Sequence, residues 1–461
     1  MADHVASTTP AVTIGTSAAT LATAMGLAAT QLDGAMLNVA LVAVGRSLDA
    51  DVGRLQWLVN AYSITFVGLL VASGALADRI GARRVFRWGF VLFGGAAAIA
   101  AAAPGFGALV AARVVQGAGA AMLVPSSLAL INHACRGDPA ARVRAVGTWA
   151  VAGGMAAALG PAISGVVVGH AGWRAVFLVS AAVAVAGLAM TGPADGDTDR
   201  ADTRRGFDWA GQLLATAALG ASVAAVAAAG SGHRLWSGAA MAAAAAAAAA
   251  FVAVEKRAAF PIVPPAVLHD RGVGGVMAAG FAISFAVFGL VFGLAFYFQD
   301  ARGYGPVETG SAFVPFSLAI IAGNMAGGRL GAAFGAGRVL CAGLLVAAGG
   351  TAMLAVVLDG SLTYAGELPA QIVARLGIGM AVPTATTLLL ASVPPAFAGA
   401  ASGAFTAFRQ AGAAMGVATF AALTAADRVA GLRSALAISA ALLAAAALAA
   451  SGGLRRKGAR G

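Results

Sequence analysis

The chain has 461 residues, 60% of them hydrophobic and only 10% charged, with a formal net charge of +11. Ordinary soluble domains carry about 25% charged residues, so the composition excludes one and points to an all-α integral membrane protein. The surplus cations lie in short loops between apolar runs, which fits membrane topology better than nucleic-acid binding.

A polar tail, 1–16, precedes the first apolar run and has no basic stretch of the kind that opens a cleaved signal peptide. Runs long enough to cross about 30 Å of hydrocarbon then fall at 17–42, 55–76, 86–103, 106–131, 144–168, 173–191, 208–230, 235–254, 273–297, 309–331, 339–358, 368–392, 398–425 and 432–451, fourteen in all. They divide into a six-helix bundle (17–191), an Asp- and Arg-rich linker (192–207), two inserted helices (208–254), a loop (255–272), a second six-helix bundle (273–451) and a basic tail (452–461). Most Lys and Arg fall in alternate loops, so both termini are expected in the cytoplasm. Arg far outnumbers Lys, as in a GC-rich bacterial genome, so the bacterial plasma membrane is the expected location. Abundant Gly and Ala allow helices to approach closely, as membrane bundles require.

The first basic loop is compact. In Gly74-Ala-Leu-Ala-Asp-Arg-Ile-Gly-Ala-Arg-Arg84 two glycines frame Asp78 and Arg79, and Arg83 and Arg84 follow Gly81 directly. Charge alone would make this an ordinary helix connection. Its spacing is echoed at Gly328, Gly335 and Arg338, and Arg113…Gly117-Ala-Gly119…Pro125 is echoed loosely by Arg375…Gly377-Ile-Gly379…Pro383. Such parallel half-repeats build one class of transporter.

Ionisable groups inside spans are few. Asp33 is the only carboxylate placed well inside one, and a charge there costs about 2.5–3.5 kcal/mol even on the insertion scale. It marks either a functional group or one satisfied by a buried partner. Asn38 follows on the same helix, and the fourth span carries Arg113 and Gln116. At 1.5 Å rise per residue, Asp33 and Arg113 lie roughly 10–13 Å from the same membrane face and can meet if their helices are neighbours. Desolvation raises a carboxylate's pKa and a nearby cation lowers it, so a carboxylate moved between such settings can load and release a proton. The fifth span has Gly160, Pro161 and Gly165 on a small-residue stretch. Phe281, Phe285, Phe288, Phe292 and Phe296 recur at helical spacing along the ninth; that stripe is either helix packing or an aromatic wall for a hydrophobic substrate. Arg375 and Arg409 are intramembrane cations with no acidic residue in their own spans, suited to backbone carbonyls or an anionic group. The two cysteines, Cys135 and Cys341, and the scattered histidines form neither a disulfide nor a metal pattern.

The G-x-L-A-D-R-x-G-x-R-R loop resembles the signature between helices two and three of the major facilitator superfamily, although Ala82 replaces its usual basic residue. Leu32-Asp33 through Asn38-Val-Ala-Leu41 resembles the first-helix motif of the fourteen-helix drug:proton antiporters, and the Arg113–Gln116–Gly119 context resembles the superfamily's fourth-helix motif. Gly160-Pro161…Gly165 resembles the motif marking antiporters, and Trp173-Arg174…Phe177 the opening of helix six. The resemblance implies a major facilitator fold of two six-helix bundles plus two central helices. It also implies a monomeric secondary exporter, with Asp33 and Arg113 in proton coupling and the glycine motifs in conformational change. Asn38, Gln116, Phe285, Phe288, Phe292, Arg375 and Arg409 are candidates for the substrate cavity. The expected partners are a small molecule, protons and the bilayer, with no cofactor, metal or nucleic acid. A proton-coupled importer of the same fold is the rival reading; a receptor or enzyme would need a constellation the chain lacks.

Overall fold

The computed structural model describes residues 11–135, 138–192, 209–230, 233–258, 271–358, 363–393 and 398–458. Among them run fourteen long helices. The first six are α1 (Ala11–Leu48), α2 (Val52–Ile80), α3 (Ala82–Ala101), α4 (Phe106–Ala134), α5 (Pro139–Ala171) and α6 (Trp173–Met190). Two more follow, α7 (Trp209–Gly230) and α8 (Arg234–Glu255). The last six are α9 (Arg271–Phe296), which runs into a π-helical turn at Tyr297–Ala301, α10 (Pro306–Phe334), α11 (Ala336–Val357), α12 (Tyr364–Ser392), α13 (Ala398–Thr424) and α14 (Arg428–Gly458). By length and composition, twelve can cross a membrane among the described residues, α2 and α13 being the exceptions. The helices at both ends of the chain reach past the expected spans: α1 begins at Ala11 and α14 continues to Gly458. The expected linker lies almost wholly outside the described residues.

Local sequence sets where helices start. The Asp51 carboxylate accepts from the Arg54 amide at 2.7 Å to cap α2, and Asp138 does the same for α5 from Ala141 at 2.9 Å, with Pro139 next in the first turn. Between α2 and α3 the chain turns on a single residue. Gly81 has φ +100° and ψ 130°, and its amide closes the last turn onto Ala77 O. Gly335 repeats this between α10 and α11, with φ +91° and ψ 132°. An L side chain rarely tolerates that conformation, which is why the sequence echo keeps the glycine.

The repeat extends to packing. In the first bundle α1 lies against α5 and α6, α2 against α4, and α3 against α4 and α6; in the second, α9 lies against α13 and α14, α10 against α12, and α11 against α12 and α14. α7 packs on α2 of one bundle and α13 of the other, while α8 packs chiefly on α7.

At the end away from Gly81 the two bundles share one apolar core, running from Met36–Val44 of α1 and Phe177 of α6 to Phe285–Phe298, Phe313, Phe316 and Leu432 of the second bundle. At the end bearing Gly81 and Gly335, called here the basic end, the cores are separate: Tyr62, Phe86, Phe90 and Leu123 in one bundle, Val276, Leu340, Leu389 and Leu443 in the other. The bundles are therefore joined at one end and parted at the other.

Candidate functional site

Asp33 sits mid-way along α1 and is 1% exposed. Its Oδ2 accepts from Arg113 Nη1 at 2.5 Å, and its Oδ1 accepts from Gln116 Nε2 and from Ser180 Oγ, each at 2.8 Å. Arg113 is 0% exposed and also donates to Leu58 O at 2.9 Å and Gln116 Oε1 at 2.7 Å. Its guanidinium carbon lies 4.4 Å above the Tyr62 ring. Thus α1, α2, α4 and α6 each contribute to one cluster. The depth argument correctly brings Asp33 and Arg113 together, with Gln116 bridging them. It misses Ser180 and Tyr62, which carry no sequence pattern.

Two ions taken out of water cost several kcal/mol each unless their remaining donors and acceptors are satisfied. Here Asp33 has three donors, and Arg113 has a backbone carbonyl, an amide and a ring besides the carboxylate. Apart from the carboxylate, Leu58 O, Gln116 and the Tyr62 ring hold Arg113 in place.

The helix-five glycines separate onto two faces. A Cβ on Gly160 would come within 2.4 Å of Ala35 Cβ on α1, inside the first bundle. A Cβ on Gly165 would meet Gly310 Cα of α10 at 2.8 Å, and one on Gly310 would meet Pro161 O at 2.9 Å. Pro161 and Gly165 therefore lie where the bundles touch backbone to backbone, and Gly160 does not. Ser164 Oγ donates to Met36 O at 2.7 Å within the first bundle, and Ser317 donates to Ala158 O across the seam.

The signature loop lies at the basic end. Arg79 and Arg84 are exposed, Arg83 is half-buried, and Gly74 faces Pro125 of α4 at ordinary contact distance. Asp78 belongs to α2, but its side chain is outside the described residues.

The remaining candidates divide. Asn38 is buried and donates to Gly34 O at 2.9 Å, leaving Oδ1 unpartnered. Asn60 of α2, absent from the sequence reading, is buried with both amide atoms unpartnered. Phe285 and Phe292 pack into the shared core and Phe288 is half-buried, while the backbone of Phe285 abuts Gly416 of α13. Helix packing accounts for most of the stripe. Arg375 is buried and Arg409 half-buried, and neither has a carboxylate partner among the described residues.

Asp33 is not the only deeply buried carboxylate, although it is the only one the sequence places well inside a span. Glu367, in the first turn of α12, is 0% exposed and accepts from Tyr297 OH at 2.7 Å and from Arg302. It lies at the joined end, where an apolar-run boundary hides it. Nearby, Asp300 bridges the bundles by pairing with Arg46 of α1 at 3.4 Å and Arg428 of α14 at 3.1 Å. A cavity of about 600 Å³ opens here, lined by Arg46, Asp49, Asp51, Gln56, Asp300 and Arg428 among others. Among the described residues no His, Cys, Asp or Glu group could hold a metal.

A family model described as Major Facilitator Superfamily matches residues 23–417. The chain belongs to the Major Facilitator Superfamily. As a superfamily member it is a multi-span membrane transporter. It is 34% identical over 402 residues to the methylenomycin A resistance protein of Streptomyces coelicolor, covering 86% of this chain and 83% of that one. It is 35% identical to the puromycin resistance protein pur8 of Streptomyces alboniger (84% and 77% covered) and 30% identical to the multidrug efflux pump LfrA of Mycolicibacterium smegmatis (84% and 77% covered). Among solved structures, a POT family transporter in complex with a thioalcohol-conjugated peptide superimposes with TM-score 0.69 at 13% identity, covering 94% of this chain and 95% of that one. The xylose transporter XylE from E. coli, partially occluded and inward open, gives TM-score 0.64 at 14% identity, with 94% and 98% covered. At such identity these two show the shared fold alone.

Proposed function

We propose that this protein exports small hydrophobic or amphipathic compounds, antibiotics among them, in exchange for protons by alternating access. The observation that carries the coupling is the Asp33 cluster: a buried carboxylate whose only charged partner among the described residues, Arg113, is independently held. The names of the relatives, resistance proteins and an efflux pump, support export of drugs. A proton arriving at Asp33 would dissolve the ion pair and alter how α1 sits against α4 and α6, which favours one orientation of the bundles over the other.

The topology belongs to this proposal. Exposed Arg79 and Arg84 support a cytoplasmic basic end by the positive-inside rule. Five arginines of the other end are engaged locally: Arg46 and Arg428 by Asp300, Arg302 by Glu367, Arg174 by Ala103 O and Arg433 by Ala355 O. With both termini cytoplasmic, all fourteen helices cross, α2 doing so like its repeat partner α10. The shared core then lies outside and the separate cores inside, which supports an inward-facing state; the acting unit in this proposal is a monomer.

The test is transport by the full-length protein in proteoliposomes of a panel including methylenomycin A and puromycin, under an imposed pH gradient with and without a protonophore. Export that needs the gradient is expected. Gradient-driven movement in the opposite direction would replace this reading with the importer.

A further inference from the structure

Arg113 and Arg375 head the fully buried side chains, and they are opposites in charge balance. Arg113 faces Asp33. Arg375, on α12, has no carboxylate partner among the described residues and no hydrogen-bond partner at Nε or Nη1. Its guanidinium carbon lies 4.0 Å above the Phe316 ring, much as Arg113 lies over Tyr62. The two rings hold equivalent places in the repeat, at the same sequence distance before the capping glycines Gly81 and Gly335. The second bundle thus repeats the cation and its ring but not the anion.

More unused donors share that face. Gln371 lies one turn before Arg375 on α12, is 1% exposed, and has an unpartnered Nε2. Glu367, a further turn away, is already committed to Tyr297 and Arg302. Arg409 on α13, beside Gly280 of α9 and apart from this face, is another cation with no acidic partner among the described residues and an unpartnered Nε. Phe316 belongs to the core shared by both bundles, and beyond it toward the basic end the cores part. Arg375 and Gln371 therefore lie buried on α12 between Ala370 of the shared core and Ile378 of the second bundle's separate core. An ionisable group at membrane depth is retained for a role, and an unanswered guanidinium calls for an anion.

We propose that Arg375 and Gln371 form an anion-recognition subsite for the cargo: an amphipathic compound with a carboxylate, sulfonate or ionised enol. Its oxygens take the free N–H groups of Arg375 and Gln371, and its apolar part lies against Phe316 and the neighbouring aromatic core. The inference rests on the export reading and names its substrate class. Because the N–H groups would otherwise stay unpaired, the subsite rejects a neutral isostere more strongly than it would reject a change of size.

The probes are naphthylacetate and naphthylacetamide, matched in shape and differing in charge, with binding to the purified full-length protein measured by titration calorimetry. Wild type is expected to bind the carboxylate at least tenfold more tightly than the amide. Arg375→Gln should bring the two within twofold by weakening the carboxylate alone. Arg375→Lys, which keeps the charge but not the planar fork, should retain a reduced preference and serves if the glutamine variant does not fold. Equal binding of both probes by wild type overturns the subsite, and so does a preference that survives Arg375→Gln. The export reading is separable. Wild type that drives proton-dependent export of the panel without discriminating between the probes overturns only the subsite. Wild type that discriminates without any proton-driven export overturns only the export reading.

Discussion

Replacing Asp33 with Asn tests the coupling site most directly, because it keeps shape and removes charge. Removing one member of a buried ion pair costs about 3–5 kcal/mol, since the other is left without its counter-charge. The cost here should fall near the lower limit. Asn can still accept from Gln116 and Ser180, and Arg113 keeps Leu58 O, Gln116 Oε1 and the Tyr62 ring. The thermal midpoint of the purified variant should drop, and adding Arg113→Gln should return more than half of the loss by removing the stranded cation. Transport should not return with it. If one proton is exchanged per substrate, a gradient of one pH unit sustains about a tenfold concentration ratio. In proteoliposomes both the single and the double variant should equilibrate substrate without concentrating it. Accumulation by Asp33→Asn equal to wild type would refute the assignment, and recovery in the double variant would mean that the pair is structural only.

At the seam between bundles, Gly165→Leu or Gly310→Leu should overpack the α5–α10 contact at a cost of about 1–3 kcal/mol and stop transport while insertion persists; wild-type rates in both would remove this seam from the cycle. Gly160→Leu overpacks α1 instead, so it should lower the thermal midpoint of the purified protein along with transport. Asp300→Asn releases Arg46 and Arg428 together, and a cysteine at Asp49, in the adjoining cavity, should then react faster with an impermeant thiol reagent; an unchanged rate would show that the bridge does not hold that end closed. For topology, in a protein without its native cysteines, externally added reagent should label Pro104→Cys and spare Arg84→Cys, both exposed positions; the reverse pattern would invert the chain.

The turn at Gly81 was legible because only glycine tolerates its dihedrals, so the repeat had to preserve it at Gly335. The Asp33–Arg113 meeting was legible because helix rise converts sequence position into depth. Ser180 and Tyr62 were not, since a single hydroxyl on an apolar helix has no periodic signature. The two glycine faces of α5 were within reach of arithmetic: five residues apart, Gly160 and Gly165 point about 140° apart at 3.6 residues per turn. The motif's appearance as one stripe concealed it. Glu367 was hidden because an apolar-run boundary registers composition and not the burial that Tyr297 and Arg302 impose.

The two seams between the bundles are mechanically unlike. One is the glycine contact of α5 and α10, where main chains meet. The other is covered by α7, whose Leu219 and Val223 rest between Val67 of α2 and Ala414 and Ala418 of α13, with Leu235 and Trp236 of α8 exposed beyond. If the bundles rock as proposed, α7, which rests on both, would have to shift against at least one of its supports and carry α8 with it. That displacement exchanges one set of acyl-chain contacts for another at little cost, provided the helices keep their depth. In the proposed cycle local bilayer thickness would therefore enter the energetics of the conformational step, and α7 and α8 would make the membrane a participant in the turnover rate while leaving the proposed proton site at Asp33 untouched.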